Sequence, residues 1–327
     1  MRVSLVSLTA AVAALAAPLA AQTVNPYCQD PQYVGAGLPG GNACQQGIDS
    51  YQYAVQQYST LFAAGNMEIG RADALGGFPK FQAALHITGM NLITPAPRAN
   101  GIPSGPAVST TLETQGNDFA TFSADGALGL FGGLDLGIAK FGAVDAFVNL
   151  NIVPGTSAAG YTVTPSKKFY FGYGARVGVM QETKVLPGVG VTYVVRNMPM
   201  SYVVASDVFQ NAIYLSQLKL DTHAWTATVG KHFGVVSLLV GYGQTSFTSS
   251  GVVSWAITGS NGTIPSVSAS STQTQYFGDF GVKVADTFGI VLELGEVSGS
   301  QLKTFNTFDP ASDATRSYAS VGITFGK

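Results

Sequence analysis

The chain has 327 residues, of which 16 are basic and 18 acidic, and charged residues make up only 10% of it. Soluble domains carry roughly 25% charge, and a nucleic-acid binder needs a basic stripe, so this composition points away from both. Forty glycines and a wealth of Phe, Tyr and Val argue against whole-chain disorder, and beyond the first twenty-odd residues no apolar run reaches the ~18 residues of a membrane-spanning helix.

The chain opens with Met1-Arg2, an apolar run from Val3 to Ala17, and Pro18-Leu19-Ala20-Ala21. This basic, apolar, small-residue order is that of a secretory signal peptide, with cleavage expected after Ala21. The two cysteines, Cys28 and Cys44, follow closely. In an exported chain such a pair is expected to form a disulfide, contributing about 3 kcal/mol by restricting the unfolded loop. Residues 22–45 read as a loop. Residues 46–64 read as a helix, with Tyr51, Tyr53, Ala54, Tyr58, Leu61 and Phe62 near helical spacing and Asp49 or Ser50 as N-cap. A glycine-containing stretch, Gly65 to Pro79, completes an N-terminal segment, 22–79.

From Lys80 the period changes to two. Phe81, Ala83, Leu85 and Ile87 alternate with Gln82, Ala84, His86 and Thr88; the same pattern recurs in about ten segments, the last carrying Ala319, Val321, Ile323 and Phe325. The facing of one long segment, Ile213 to Gly230, is ambiguous. Strands of roughly 10–15 residues exceed the usual 5–6 and suit a tilted crossing of a bilayer. Short links near 133–139, 183–187, 231–234 and 285–288 alternate with long ones near 93–117, 153–167, 198–210, 248–272 and 300–314. Membrane barrels sort their connections in this way, short on the periplasmic side and long on the extracellular side. The expected fold is therefore all-β: an antiparallel transmembrane β-barrel of about ten strands, up to fourteen, over residues 80–327, with both termini on the short-turn side. The short helix before it either plugs the lumen or lies against the periplasmic mouth.

The non-apolar face is mostly Gly, Ser, Thr and Asn, which suits a narrow lumen better than a solvated surface. Its candidate lumen-lining residues are His86, Asp125, Asp145, Arg176, Arg196, Asp279, Lys283 and Glu293. They read either as a salt-bridged filling or as a polar conduction path. Phe81, Tyr170, Tyr193, Tyr242, Tyr276 and Phe325, with Phe119 and Phe288, are candidates for interface girdles. Asp221, His223 and Trp225 share a face and raise the possibility of a barrel hydrolase, but no Gly-x-Ser-x-Gly elbow accompanies them. No metal cluster or cofactor motif is present, and the chain is not expected to be an enzyme.

The closing strand, Tyr318-x-x-Val321-x-Ile323-x-Phe325, resembles the last strand of bacterial outer-membrane β-barrels, although Gly326 and Lys327 follow the aromatic. That resemblance implies outer-membrane lipid and the barrel-assembly machinery as partners, in a Gram-negative-type envelope. A helix and glycine-rich turns ahead of the barrel are also loosely similar to long-chain fatty-acid transporter-type barrels, which carry an N-terminal hatch. The functional expectation is porin-like passive transport of small, even hydrophobic, molecules. The alternative is a non-conducting structural or adhesion barrel that acts through its loops.

Overall fold

The computed structural model describes residues 23–66, 69–152, 155–158, 161–198, 201–299 and 302–326. The signal-peptide expectation lies outside these residues. Ten long strands form the wall: β1 (Phe81–Pro95), β2 (Thr111–Phe131), β3 (Ala143–Ile152), β4 (Phe169–Met180), β5 (Gly188–Asn197), β6 (Ala212–Phe233), β7 (Val236–Ile257), β8 (Ser260–Ala285), β9 (Phe288–Gly299) and β10 (Arg316–Gly326). Each pairs antiparallel with its neighbours in sequence. β10 closes the ring on β1, with Gln82 opposite Gly326 and Met90 opposite Tyr318. Closure removes the free edges that hydrocarbon would not tolerate.

The facing follows the alternation. Leu85, Ile87, Leu128, Val148, Phe171, Val240, Leu294 and Val321 are exposed on the outside, while Asp145, Asn149, Arg176, Thr192, Thr226 and Glu293 are buried inside. This apolar-out, polar-in arrangement belongs to a barrel in lipid and not to a soluble one.

β6, β7 and β8 have 22, 22 and 26 residues, about twice the 9–11 a bilayer crossing needs. Their upper halves reverse the pattern. Ile213, Leu215, Leu218, Leu220, Phe247, Val253, Trp255, Ile264 and Val267 turn inward and are buried, while Ser246, Thr248, Ser268, Ser270 and Thr272 face out. The stretch 248–272, expected as a long loop, is therefore a tall hairpin turning at Thr258–Gly259. The ambiguous segment 213–230 spans the point of reversal. Gln217, at φ 52°, sits in a bulge between Ser216 and Lys219 that resets the facing. With short strands Tyr161–Pro165 and Ser201–Ser206 continuing the sheet beside β6, these extensions build a dome at the loop end.

The dome encloses helix α1 (Gly41–Ala63). It starts five residues earlier than expected. Gly40 is its N-cap, without a side-chain cap bond, and Asp49 instead accepts from the backbone of Asn306 (2.8 Å) and of Phe305 (3.3 Å). Tyr51, Ala54, Val55, Leu61 and Phe62 join the inward apolar residues of β6, β7 and β8 in one core. Ahead of α1, Cys28 and Cys44 form the expected disulfide. Residues 25–42 cap the loop end, where the Asn42 N–H donates to Gly105 O at 2.9 Å and the Gly105 N–H donates to Pro39 O at 2.8 Å.

This placement corrects the expectation that both chain ends lie at the short turns. β1 begins and β10 ends there, but the described chain starts at the opposite end and runs down through its own barrel before β1 begins.

Candidate functional site

Below α1 the chain descends through the membrane-level lumen in irregular conformation, residues 64–66 and 69–79. A segment without helix or sheet leaves its backbone N–H and C=O groups unpaired, and burying them that way is costly. The barrel wall satisfies them. Glu293 accepts the Asn66 N–H with both oxygens, at 2.9 and 3.2 Å. Asp279 accepts the Gly70 N–H at 2.7 Å, and Asp145 accepts the Leu75 N–H at 2.8 Å. Gly70 has φ 81°, so the chain turns toward Asp279 in a conformation that glycine favours. Arg176 donates to Asp73 O at 2.8 Å and Arg71 O at 3.4 Å. Arg196 donates to Phe62 O at 2.6 Å, closing the last turn of α1, where the helix dipole favours a cation.

Seven of the eight candidate lumen residues do face the lumen, and five of them hold the backbone of the descending segment or of α1. The two others, His86 and Asp125, pair at 3.3 Å, both buried. Asp125 also receives Asn149, which receives Asn151, which receives Ser123. Wall-to-wall ion pairing is minor by comparison: Arg176 Nε stands 3.8 Å from Asp145. The sequence-based alternatives, a self-paired filling or a conduction path, missed this use because the partner is backbone. Lys283 is the exception. It is exposed at the turn-end rim, paired with Asp286 at 3.1 Å, because a bulge between Lys283 and Ala285 ends the alternation there.

Sequence reasoning also missed Gln273 and Thr228. Gln273 Nε2 donates to Gln56 O, Ser59 Oγ and Thr60 Oγ1 at 2.7–2.9 Å. Thr228 Oγ1 donates to Ala72 O at 2.7 Å. Gln273 adjoins the stretch read as loop, and nothing in a threonine marks it as an anchor.

Among the girdle candidates, Phe81, Tyr193, Tyr276 and Phe325 are exposed on the outer face. Trp225, Tyr242 and Tyr276 form a row with ring centroids 5.5 and 5.1 Å apart. The Phe288 and Phe325 rings meet at a tilt, with centroids 5.3 Å apart. Tyr170 is corrected: it is buried in the lumen, edge-on to Phe62 at 5.3 Å. Its neighbours Phe169 and Phe171 take the outside, as period two requires. Phe119 likewise turns to Tyr58 at 6.2 Å.

The outer-face trio does not assemble as a catalytic set. Asp221 pairs with Lys219 at 2.9 Å, and His223 Nδ1 lies 3.1 Å from the Tyr193 hydroxyl. Among the described residues no three His, Cys, Asp or Glu side chains converge to hold a metal. Two small cavities flank the foot of α1. One, about 30 Å³, is apolar and bordered by Val55, Tyr58 and Phe119; the other, about 20 Å³, is polar and bordered by His86, Asn149 and Arg196. Leu61, Phe62 and Thr121 border both.

No protein-family description matches the chain. No curated protein matches it either. Solved structures similar to it include the translocator domain of autotransporter NalP from Neisseria meningitidis, at 6% identity and TM-score 0.46, covering 85% of this chain and 98% of that one. The outer membrane protease OmpT from Escherichia coli is similar at 8% identity and TM-score 0.37, covering 76% and 97%. The Pseudomonas putida toluene transporter TodX is similar at 8% identity and TM-score 0.35, covering 80% and 96%. The chain's own geometry is that of a closed antiparallel β-barrel with an apolar outer face.

Proposed function

We propose that this chain is an outer-membrane protein sealed by its own N-terminal segment, with its working surface on the extracellular dome. It is a surface-acting barrel and not an open pore. The short turns face the periplasm and the long connections face outward, as in other membrane barrels. The observation that carries this reading is the position of α1. The helix is not a loose stopper in a water-filled channel. It is the centre of the dome's apolar core, sharing Tyr51, Val55 and Phe62 with Leu218, Phe247 and Val253. Removing it would expose that core, and burial of side chains of this size contributes about 1.5–3 kcal/mol each. Below it, the wall's charges are spent on the descending backbone.

Single-channel recording on the purified full chain tests the reading. The full chain is expected to be silent in planar bilayers. Steady ohmic conductance would refute the seal.

Passive transport of small hydrophobic molecules is the second reading, favoured by the apolar cavity beside Tyr58. At about 30 Å³ it admits a water-sized group and no more, so transport would need α1 to move. Uptake of a hydrophobic dye into vesicles that carry the protein, above empty vesicles, would favour this second reading.

A further inference from the structure

The turn-end mouth of the lumen departs from the rest of the molecule in charge. Two adjoining cavities, about 640 and 350 Å³, share Arg71, Leu75, Lys80 and His232. Their linings include Arg71, Lys80, Lys184, Lys231 and Lys283, five of the chain's 16 basic residues, although the chain as a whole has a net charge of −2.

The carboxylates in these linings are already committed. Asp73 accepts the Glu182 N–H at 2.7 Å and lies 3.5 Å from Arg71. Glu182 takes His232 Nδ1 at 2.5 Å, the His232 N–H at 2.8 Å and Lys231 at 3.3 Å. Partial burial alone would raise the Glu182 carboxyl, but these bonds outweigh it and hold the group below the usual glutamate range. Glu182 therefore stays ionised and engaged. Asp286 pairs with Lys283. Among the described residues no carboxylate lies within ion-pair distance of Lys80 or Lys184, and both border the larger cavity. The smaller cavity extends to the rim aromatics Phe81, Phe288 and Phe325.

We propose that this mouth is a binding site for phosphate groups, with Lys80 and Lys184 as the free cations and Arg71 and His232 as the shared floor. Two free ammonium groups over a concave, otherwise neutralised surface make a point-charge site, which suits a phosphate more than a planar carboxylate. A free polyphosphate in the periplasm and the phosphate headgroup of an inner-leaflet lipid present the same chemistry. The aromatic rim brings the site next to the lipid.

The test uses the full chain in detergent and in nanodiscs. Inorganic pyrophosphate is titrated by calorimetry into wild type and Lys80→Gln/Lys184→Gln, with the boiling-dependent gel shift confirming that each is folded. Saturable binding weakened at least tenfold in the variant supports the site and a free-phosphate source. Absence of that binding, with melting raised by phosphatidylglycerol discs over phosphatidylcholine discs in wild type alone, supports the site and a headgroup source. If neither probe distinguishes wild type from the variant, the proposal is overturned.

Discussion

Replacing Glu293 by alanine examines how the lumen is sealed. Glu293 is 1% exposed and holds the Asn66 N–H with both oxygens. Losing this acceptor leaves a buried donor unmet, which costs about 1–3 kcal/mol. Since about 1.4 kcal/mol is a factor of ten in an equilibrium, local opening around Asn66 and Gly70 is expected to rise roughly five- to a hundredfold. Hydrogen exchange on the purified protein reads this as faster exchange at the Asn66 and Gly70 amides. Gln at 293 keeps an acceptor and should give a smaller increase. The amides of α1 should not change, because apolar packing in the dome holds that helix, and the pore should stay silent. Unchanged exchange at Asn66 in the alanine variant would refute the anchoring role. Acceleration across α1 to the same degree would refute the independence of the two layers.

Other expectations follow from packing, facing and charge. A Cβ at Gly47 would stand 2.5 Å from Val253 Cγ1, so Gly47→Val should destabilise the dome by about 1–3 kcal/mol through overpacking, seen as earlier proteolysis of the 212–264 region with the membrane-level barrel intact. Val148 is 61% exposed on the outer face, and Val148→Arg should cost about 2–4 kcal/mol near the bilayer midplane. Chemical denaturation in liposomes measures this, and a cost near zero would mean that the faces are assigned wrongly. Because Glu182 is held below its ordinary pKa, its contribution is present above the unfolded carboxyl's pKa of about 4.3 and is lost as pH falls through the lower folded value. Amide protection of residues 181–187 should therefore hold at pH 6 and drop in acid, and Glu182→Gln should remove that pH dependence.

The membrane-level wall was legible in the sequence because each strand there repeats one rule. Phe169 to Met180 alternates without interruption, so the outer face of β4 was right residue by residue. The same rule contained the correct facing of Tyr170, between two outward phenylalanines, which overrides the aromatic preference for the interface. The dome was not legible. From Ser246 to Thr272 most hydroxyl residues, such as Ser246, Thr248, Ser268, Ser270 and Thr272, face out and Phe247, Val253, Ile264 and Val267 face in, so a strand with inverted polarity looked like a polar loop. The start of α1 was hidden by Gly40-Gly41-Asn42, which reads as a break. The anchors could be found as inward charges, but their partners could not. Glu293, Asp279 and Asp145 bind backbone amides, and a backbone amide is the same in every sequence.

The chain threads its own barrel from the loop end. Cysteine labelling tests this most directly, since the two native cysteines are bridged and none is free among the described residues. Gln32 is exposed in the loop-end cap and Lys184 lies in a short turn. A bulky, membrane-impermeant maleimide added to intact cells should label Gln32→Cys, and should label Lys184→Cys only after the outer membrane is opened. Labelling of Gln32→Cys only after opening, in cells where Val208→Cys in a long connection labels freely, would contradict the threading.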